Sequence, residues 1–155
     1  MKSIGRRLKA IYRMQGAYKK FDKELYKKYD ESAKDRTKNF LRSKGWEVKD
    51  HPNKYAQDLV ATKDGKEFLV ECEVKLVWNK PKFPFDTIQL PARKEKFFKN
   101  RTAFFIWNKA LDDAIYFWSD HVKDIKPVEV KNKFVKSGEK FFQIPLDKTK
   151  QVSKL

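Results

Sequence analysis

The chain has little cysteine, histidine or methionine: of its 155 residues one is Cys, two are His and two are Met. A single cysteine excludes an internal disulfide, and Cys72 lies in an apolar alternation, where a reduced, buried thiol is expected. The isolated residues His51 and His121 give no zinc site. No run reaches the roughly 18 apolar residues that span a membrane, and the basic N-terminus lacks the apolar segment of a secretory signal. We therefore predict a cytoplasmic protein without membrane association.

Acidic residues are also in deficit. Lys and Arg number 37 against 21 Asp and Glu, a formal net charge of +16. Such an excess favours a polyanionic partner, most often nucleic acid. Residues 1–20 contain seven Lys or Arg and no Asp or Glu, at a spacing typical of an amphipathic basic helix or arm. Its predicted DNA contacts are Arg6, Arg7, Lys9, Arg13, Lys19 and Lys20.

Aromatic residues are plentiful, at 15% of the chain, so a sizeable core is expected. We predict three segments: a basic helix or arm over 1–20, one domain over 21–146, and a flexible tail over 147–155. In the domain, a helix ends at "SKGW", strands follow at 46–50, 57–62 and 68–78, and a second helix is predicted in "PARKEKFFKN" after the extended "TIQL". Two doubly apolar strands, "TAFFIWN" and "AIYFWSD", and a last hairpin complete it. This order indicates an α/β or α+β fold, a mixed sheet flanked by α-helices.

The segment "EFLVECEVKLVW", residues 67–78, alternates with the period of a strand. One face is wholly apolar. The other carries Glu71, Glu73 and Lys75 in a row. A hairpin turn at Asp64-Gly65 brings the preceding strand alongside: a two-residue turn sets Asp58 opposite Glu71, and a four-residue loop sets it opposite Glu73. Either register gathers three carboxylates and one lysine on one side of a sheet.

Three neighbouring carboxylates repel one another unless a cation lies between them. Mg²⁺ prefers carboxylate, carbonyl and water oxygens, and a lysine beside it can orient a water or neutralise a phosphate. The residues therefore favour a metal-dependent phosphodiesterase. The alternative is an exposed edge strand whose charges form ordinary salt bridges.

The stretch "QDLVATKDGKEFLVECEVK" resembles the core of the PD-(D/E)xK nuclease superfamily, in which an Asp on one strand is followed by Glu-x-Lys on the next. With the upstream "SKGW" and a downstream "Q…RK" segment, the order is similar to archaeal Holliday-junction resolvases and small phage-type endonucleases over residues 30–118. Gln57 stands where that motif has Pro. The resemblance implies a restriction-endonuclease-like fold and a DNA endonuclease that uses Mg²⁺, for which Mn²⁺ can substitute.

By this resemblance, Asp58, Glu73 and the carbonyl of Val74 hold the metal, and Lys75 positions the attacking water. A helix carboxylate often joins such sites, and Glu31 and Asp35 are the candidates here. Gln89 is a further candidate for the active site. Glu71 is open to three interpretations: an extra ligand, the true ligand in a shifted register, or a partner of Lys75.

Arg93 and Lys94, at the start of the second predicted helix, are predicted to bind phosphate. Two other functions remain open: a non-catalytic nucleic-acid-binding module on the same fold, and a basic RNA-associated protein. RNA is not excluded as the substrate. A homodimer would suit paired cuts in two strands.

Overall fold

The computed structural model describes residues 23–130 and 139–152. The basic arm predicted over 1–20, with its six candidate DNA-contacting side chains, lies outside these residues. The described part is a mixed α and β fold, which confirms the fold class. No helix in the described ranges is long and apolar enough to cross a membrane.

Helix α1 spans Lys23–Ser43. Its inner face buries Ala33, Thr37 and Leu41, spaced four residues apart as one helix stripe requires. The helix ends as the sequence predicts: Gly45 has φ +89°, and the amide of Trp46 donates to the carbonyl of Leu41 at 3.1 Å. Glycine is favoured at this position because it enters the left-handed region without strain.

The described residues form nine strands in two sheets. The strands are β1 (Glu47–Asp50), β2 (Leu59–Lys63), β3 (Lys66–Lys75), β4 (Thr87–Pro91), β5 (Thr102–Asn108), β6 (Ala114–Trp118), β7 (Val128–Glu129), β8 (Lys140–Pro145) and β9 (Lys150–Gln151). The larger sheet has the order β1-β2-β3-β5-β6-β9, and the smaller has the order β4-β8-β7. All pairs are antiparallel except β3 with β5, which is parallel, so the larger sheet is mixed.

The β2–β3 hairpin closes through a two-residue turn. Lys63 pairs with Lys66 and Leu59 with Val70, and the two turn residues, Asp64 and Gly65, have φ +51° and +76°. Positive φ at both positions is the conformation of a type I′ turn, which matches the twist of paired strands. Of the two registers that the sequence allows, the structure adopts the one that sets Asp58 level with Glu71.

Both faces of the larger sheet are covered. Helix α1 packs on the face that carries Phe68, Val70, Cys72 and Val74. The smaller sheet packs on the face that carries Phe104 and Ile106, and this is also the face of Glu71, Glu73 and Lys75. In the sequence, the alternation of β3 predicts a core on the first face only, whereas the doubly apolar β5 and β6 predict that both faces are covered. A second layer is needed because β5 is buried at every residue.

Two predicted elements differ from those observed. The segment after Pro91 is a 3₁₀ helix, Ala92–Lys99, rather than an α-helix. In the described residues, strands cover the second face where a flanking α-helix was expected. The flexible tail predicted from 147 is also wrong as far as residue 152: β9 pairs with β6, and Val152 is 7% exposed. The last hairpin is confirmed by the β7–β8 pairing.

Candidate functional site

Asp58 directly precedes strand β2 and lies beside strand β3. Its Oδ2 accepts a hydrogen bond from the backbone amide of Cys72 at 2.9 Å. The preceding loop is internally bonded: Asn53 Oδ1 accepts from the amide of Tyr55 at 3.0 Å, and the amide of His51 donates to the Asp58 carbonyl at 3.0 Å. The carboxylate is therefore held against β3 beside Glu71.

Glu71 forms a buried ion pair with Lys94. The side chain of Glu71 is 7% exposed and that of Lys94 is 5% exposed, and Lys94 Nζ donates to Glu71 Oε2. Lys94 comes from the 3₁₀ helix Ala92–Lys99, which follows β4 and packs beside the larger sheet. This pairing connects the two sheets at the level of Asp58. The sequence predicts a phosphate contact for Lys94 and gives no sign of a carboxylate partner.

Burial and neighbouring charges shift the pKa values of Glu71 and Lys94. Burial raises the pKa of Glu71 to about 8, and Asp58 adds to the rise while Lys94 opposes it. Burial alone would lower the pKa of Lys94, but Glu71, Glu73 and Asp58 outweigh it and raise that pKa. Both pKa values are raised, for Glu71 chiefly by burial and for Lys94 by the three neighbouring carboxylates, so each group favours its protonated form.

Glu73 and Lys75 form a second ion pair, farther along β3. Lys75 Nζ lies 2.9 Å from Glu73 Oε1, with side-chain exposures of 2% and 3%. It also donates to the backbone carbonyl of Gln89 in β4 at 3.2 Å. The side chain of Gln89 donates to Thr87 at 3.4 Å. Glu73 and Lys75 are thus enclosed beneath the smaller sheet, two residues or more beyond the level of Asp58.

A cavity of about 250 Å³ opens beside Asp58 and Glu71 rather than beside Glu73 and Lys75. Its wall combines these two carboxylates with several cations and an exposed aromatic ring. The lining residues are Lys54, Tyr55, Ala56, Asp58, Glu71, Arg93, Lys94, Lys96 and Phe97. Carboxylates at one side and cations around them suit a ligand that carries negative oxygens and accepts a divalent cation.

The structure separates the two helix carboxylates predicted from sequence from the cavity. Glu31 is 65% exposed at its side chain and lies 3.9 Å from Lys27, and Asp35 is exposed. Asp30 is half-buried instead, and burial raises its pKa, with Lys94 and Glu71 among the charges that act on it. Asp30 is therefore the α1 carboxylate that interacts electrostatically with Glu71 and Lys94. Asp30 lies three residues before Ala33 and seven before Thr37, so it shares their face of the helix. This helical spacing would have identified Asp30 from the sequence.

The cavity supplies some of the ligands that a metal ion needs, but not a complete set. Within residues 23–130 and 139–152, no three Asp, Glu, His or Cys side chains are arranged as a preformed metal site. Two carboxylates side by side, Asp58 and Glu71, remain. Mg²⁺ is commonly held by one or two carboxylates, with waters and substrate phosphate oxygens completing its shell. These residues fit that ion better than a cage made entirely by protein.

The predicted ligands Glu73 and the Val74 carbonyl lie two and three residues beyond Glu71, the residue level with Asp58 in the β2–β3 register. The backbone amide that contacts Asp58 belongs to Cys72. Of the three interpretations of Glu71, the structure excludes a partnership with Lys75, which contacts Glu73 instead. A ligand in a shifted register is the interpretation that fits the strand pairing.

Searches of protein-family models and of curated proteins found nothing that matches this chain. The resemblance to PD-(D/E)xK nucleases therefore stays a prediction from the sequence motif.

Proposed function

We propose that this chain is a Mg²⁺-dependent DNA endonuclease whose reaction centre contains Asp58, Glu71 and Lys94. The observation that carries the proposal is the placement of Asp58 and Glu71 side by side at a cavity whose lining also includes four cationic side chains. A phosphodiester bears negative oxygens that such cations attract, and a net charge of +16 favours a polyanionic substrate. In this proposal the Glu73–Lys75 pair has a structural role and stabilises β3 beneath the smaller sheet.

Asp58 and Glu71 would hold the metal ion, for which Mn²⁺ can substitute. When bound, the ion would supply Lewis-acid stabilisation of phosphate charge and an activated water. The proton that Glu71 favours in the metal-free protein supports this assignment, because a cation would take the place of that proton.

The chain's own cations have separate tasks. Lys94 is buried and charged, so its ammonium can neutralise negative charge that develops on a phosphate at the cavity wall. Arg93 can bind a phosphate through two parallel hydrogen bonds. The exposed residues Lys54 and Lys96 would bind the flanking phosphates, which orient the strand across the cavity.

The test compares Asp58→Asn and Glu71→Gln with Asp35→Asn, an exposed carboxylate on α1 that serves as the control. We expect the first two to abolish Mg²⁺-dependent cleavage of plasmid and branched DNA and to remove Mg²⁺ binding in calorimetry. Binding of DNA in EDTA should persist, because no cation contact is lost. Asp35→Asn should behave as wild type.

The pH dependence of metal binding is a second readout of the same experiment. Burial raises the pKa of Glu71, so a proton competes increasingly with Mg²⁺ for this carboxylate as the pH falls. We expect Mg²⁺ to bind more weakly at pH 6 than at pH 8.5 and to release a proton on binding. Wild-type affinity for Mg²⁺ in both variants, at either pH, would contradict the proposed reaction centre.

Should wild type bind DNA and cleave neither DNA nor RNA with Mg²⁺ or Mn²⁺, the non-catalytic binding module would replace the endonuclease. One observation favours that second candidate: Glu71 already has a cationic partner in Lys94, so the cluster does not require a metal ion for stability.

A further inference from the structure

A second cavity, of about 280 Å³, lies on the opposite face of the larger sheet, between the C-terminal end of α1 and the ends of β3, β5 and β6. Six aromatic side chains contribute to its lining: Phe40, Trp46, Phe68, Phe105, Tyr116 and Trp118. Trp46 and Phe68 meet edge to face at 4.7 Å between ring centroids, and Phe68 and Trp118 do so at 5.1 Å. The rings thus form a continuous wall, which we call the aromatic cavity.

The rim of the aromatic cavity is cationic. Lys44, Lys66 and Arg101 line it together with one acid, Glu67. The guanidinium of Arg101 lies 4.2 Å from the ring centroid of Trp118, and Lys63 lies 5.8 Å from that of Trp46. A cavity that served only to accommodate lipid or an apolar side chain would gain nothing from these charges.

Tyr116 brings a hydroxyl to the lining of the aromatic cavity. Its ring stacks on Phe105 at 5.4 Å between ring centroids, so it is part of the aromatic wall. The hydroxyl can donate or accept a hydrogen bond.

A surface groove extends from the aromatic cavity to the loop that precedes β2. The groove shares Glu67, Phe68 and Arg101 with the aromatic cavity and reaches Lys49, His51 and Pro52. The same loop continues to Lys54 and Tyr55, which line the first cavity. A single strand of nucleic acid that entered the aromatic cavity could therefore run along the groove towards this loop.

We propose that the aromatic cavity receives an unpaired nucleobase of the DNA substrate. Aromatic faces stack on any base, and the Arg101 guanidinium, which lies over Trp118, can stack on the base with them. The other cations at the rim bind the phosphates, and the Tyr116 hydroxyl can form a hydrogen bond with the base edge. The inference rests on the proposed function for its choice of substrate. It narrows that substrate to DNA with an unpaired nucleotide, at a bulge, flap or branch.

The experiment measures binding in EDTA, where no cleavage occurs. Two duplexes are compared, one with a single bulged adenine and one with an abasic site at the same position. Stacking of one base on aromatic side chains changes affinity by about tenfold or more, so we expect wild type to bind the adenine bulge at least about tenfold more tightly. Trp118→Leu and Arg101→Gln should reduce this preference, and Phe85→Leu should keep it, because Phe85 is 49% exposed outside the cavity.

Arg101 is exposed, so Arg101→Gln keeps the test valid even where Trp118→Leu fails to fold. Equal binding of the two duplexes by wild type, or a preference that survives in both variants, would overturn the proposal. Cleavage of the two duplexes with Mg²⁺, measured in parallel, tests the proposed function separately. Cleavage without a base preference refutes the aromatic cavity alone, and a base preference without cleavage refutes the endonuclease alone.

Discussion

Two lysines on this molecule neutralise neighbouring carboxylates, and their surroundings give them different tasks. Lys75 is 1% exposed and joins Glu73 to the backbone of β4. Lys94 is also buried, at 4%, but it lines the cavity beside Asp58. Only a lysine that reaches a cavity can touch a substrate. The catalytic lysine predicted from the Glu-x-Lys motif is therefore reassigned in our proposal from Lys75 to Lys94.

Methionine at either position keeps the length of the side chain and removes its charge. We expect Lys94→Met to lower cleavage per folded molecule by about 10²- to 10³-fold, the range for loss of one charge-stabilising group. We expect Lys75→Met to lower the free energy of unfolding by about 3–5 kcal/mol, since it leaves Glu73 buried and unpaired. Urea unfolding and cleavage at matched folded concentration separate the two effects.

The reassignment would be wrong if Lys94→Met cleaved DNA as wild type does while Lys75→Met was folded and inactive. The stability argument fails separately if Lys75→Met unfolds at the wild-type urea concentration. Each variant serves as the control for the other, because both remove one buried ammonium that pairs with a glutamate of β3.

The candidate site shows where sequence reasoning succeeds at the level of residues. Alternation along β3 correctly places Glu71, Glu73 and Lys75 on one face, and the Asp64-Gly65 turn brings Asp58 to them. Alternation does not show which of these side chains faces a cavity, because the smaller sheet that encloses Glu73 is assembled from distant segments. The partnership of Glu71 with Lys94 spans 23 residues and leaves no periodic signal.

Helix α1 is attached to the sheet by a buried polar chain. The indole nitrogen of Trp107 in β5 donates to Thr37 Oγ1 at 2.8 Å, and that hydroxyl donates to the Ala33 carbonyl at 2.7 Å. Both Thr37 and Trp107 are almost fully buried. The chain fixes the rotation of α1 about its axis, and that rotation carries Asp30 towards the candidate reaction centre.

Thr37→Val keeps the shape of the side chain and removes the acceptor. We expect it to destabilise the protein by about 1–3 kcal/mol, since it leaves the buried Trp107 indole nitrogen unsatisfied. Thr37→Ser retains the hydroxyl and should lose less. Urea unfolding followed by tryptophan fluorescence measures both, and a Thr37→Val variant as stable as Thr37→Ser would show that the hydrogen bond contributes nothing.

At the level of elements, the sequence correctly predicts the helix end and the hairpin turn that local residues determine. Gly45 ends α1 and the Asp64-Gly65 pair closes the β2–β3 hairpin, both through positive φ. The errors concern elements that tertiary packing decides. The segment Ala92–Lys99 has helical periodicity yet adopts 3₁₀ geometry, and the polar Lys150–Gln151 forms β9 only because β6 offers it an open edge.

For the whole molecule, the excess of positive charge is unevenly spread along the chain. Residues 1–20 contribute seven of the 37 basic residues and no acid. The two cavities and the groove carry their own cations, among them Lys54, Arg93, Lys96 and Arg101. We therefore expect two electrostatic contributions to DNA binding, one from the basic N-terminal segment and one from the cavities.

Deleting residues 1–20 lowers the formal net charge from +16 to +9. Each phosphate contact that is lost reduces the slope of log K against log salt by about 0.9, because fewer counterions are released. We expect the truncated protein to bind DNA more weakly at low salt and with a slope smaller by several units, while its preference for a bulged base is kept. Replacing the exposed Lys123 and Lys126 by Gln, outside both cavities, is the control and should change the slope little. An unchanged slope after truncation would show that the N-terminal charges do not contact DNA, and that binding depends on the cavities and the groove alone.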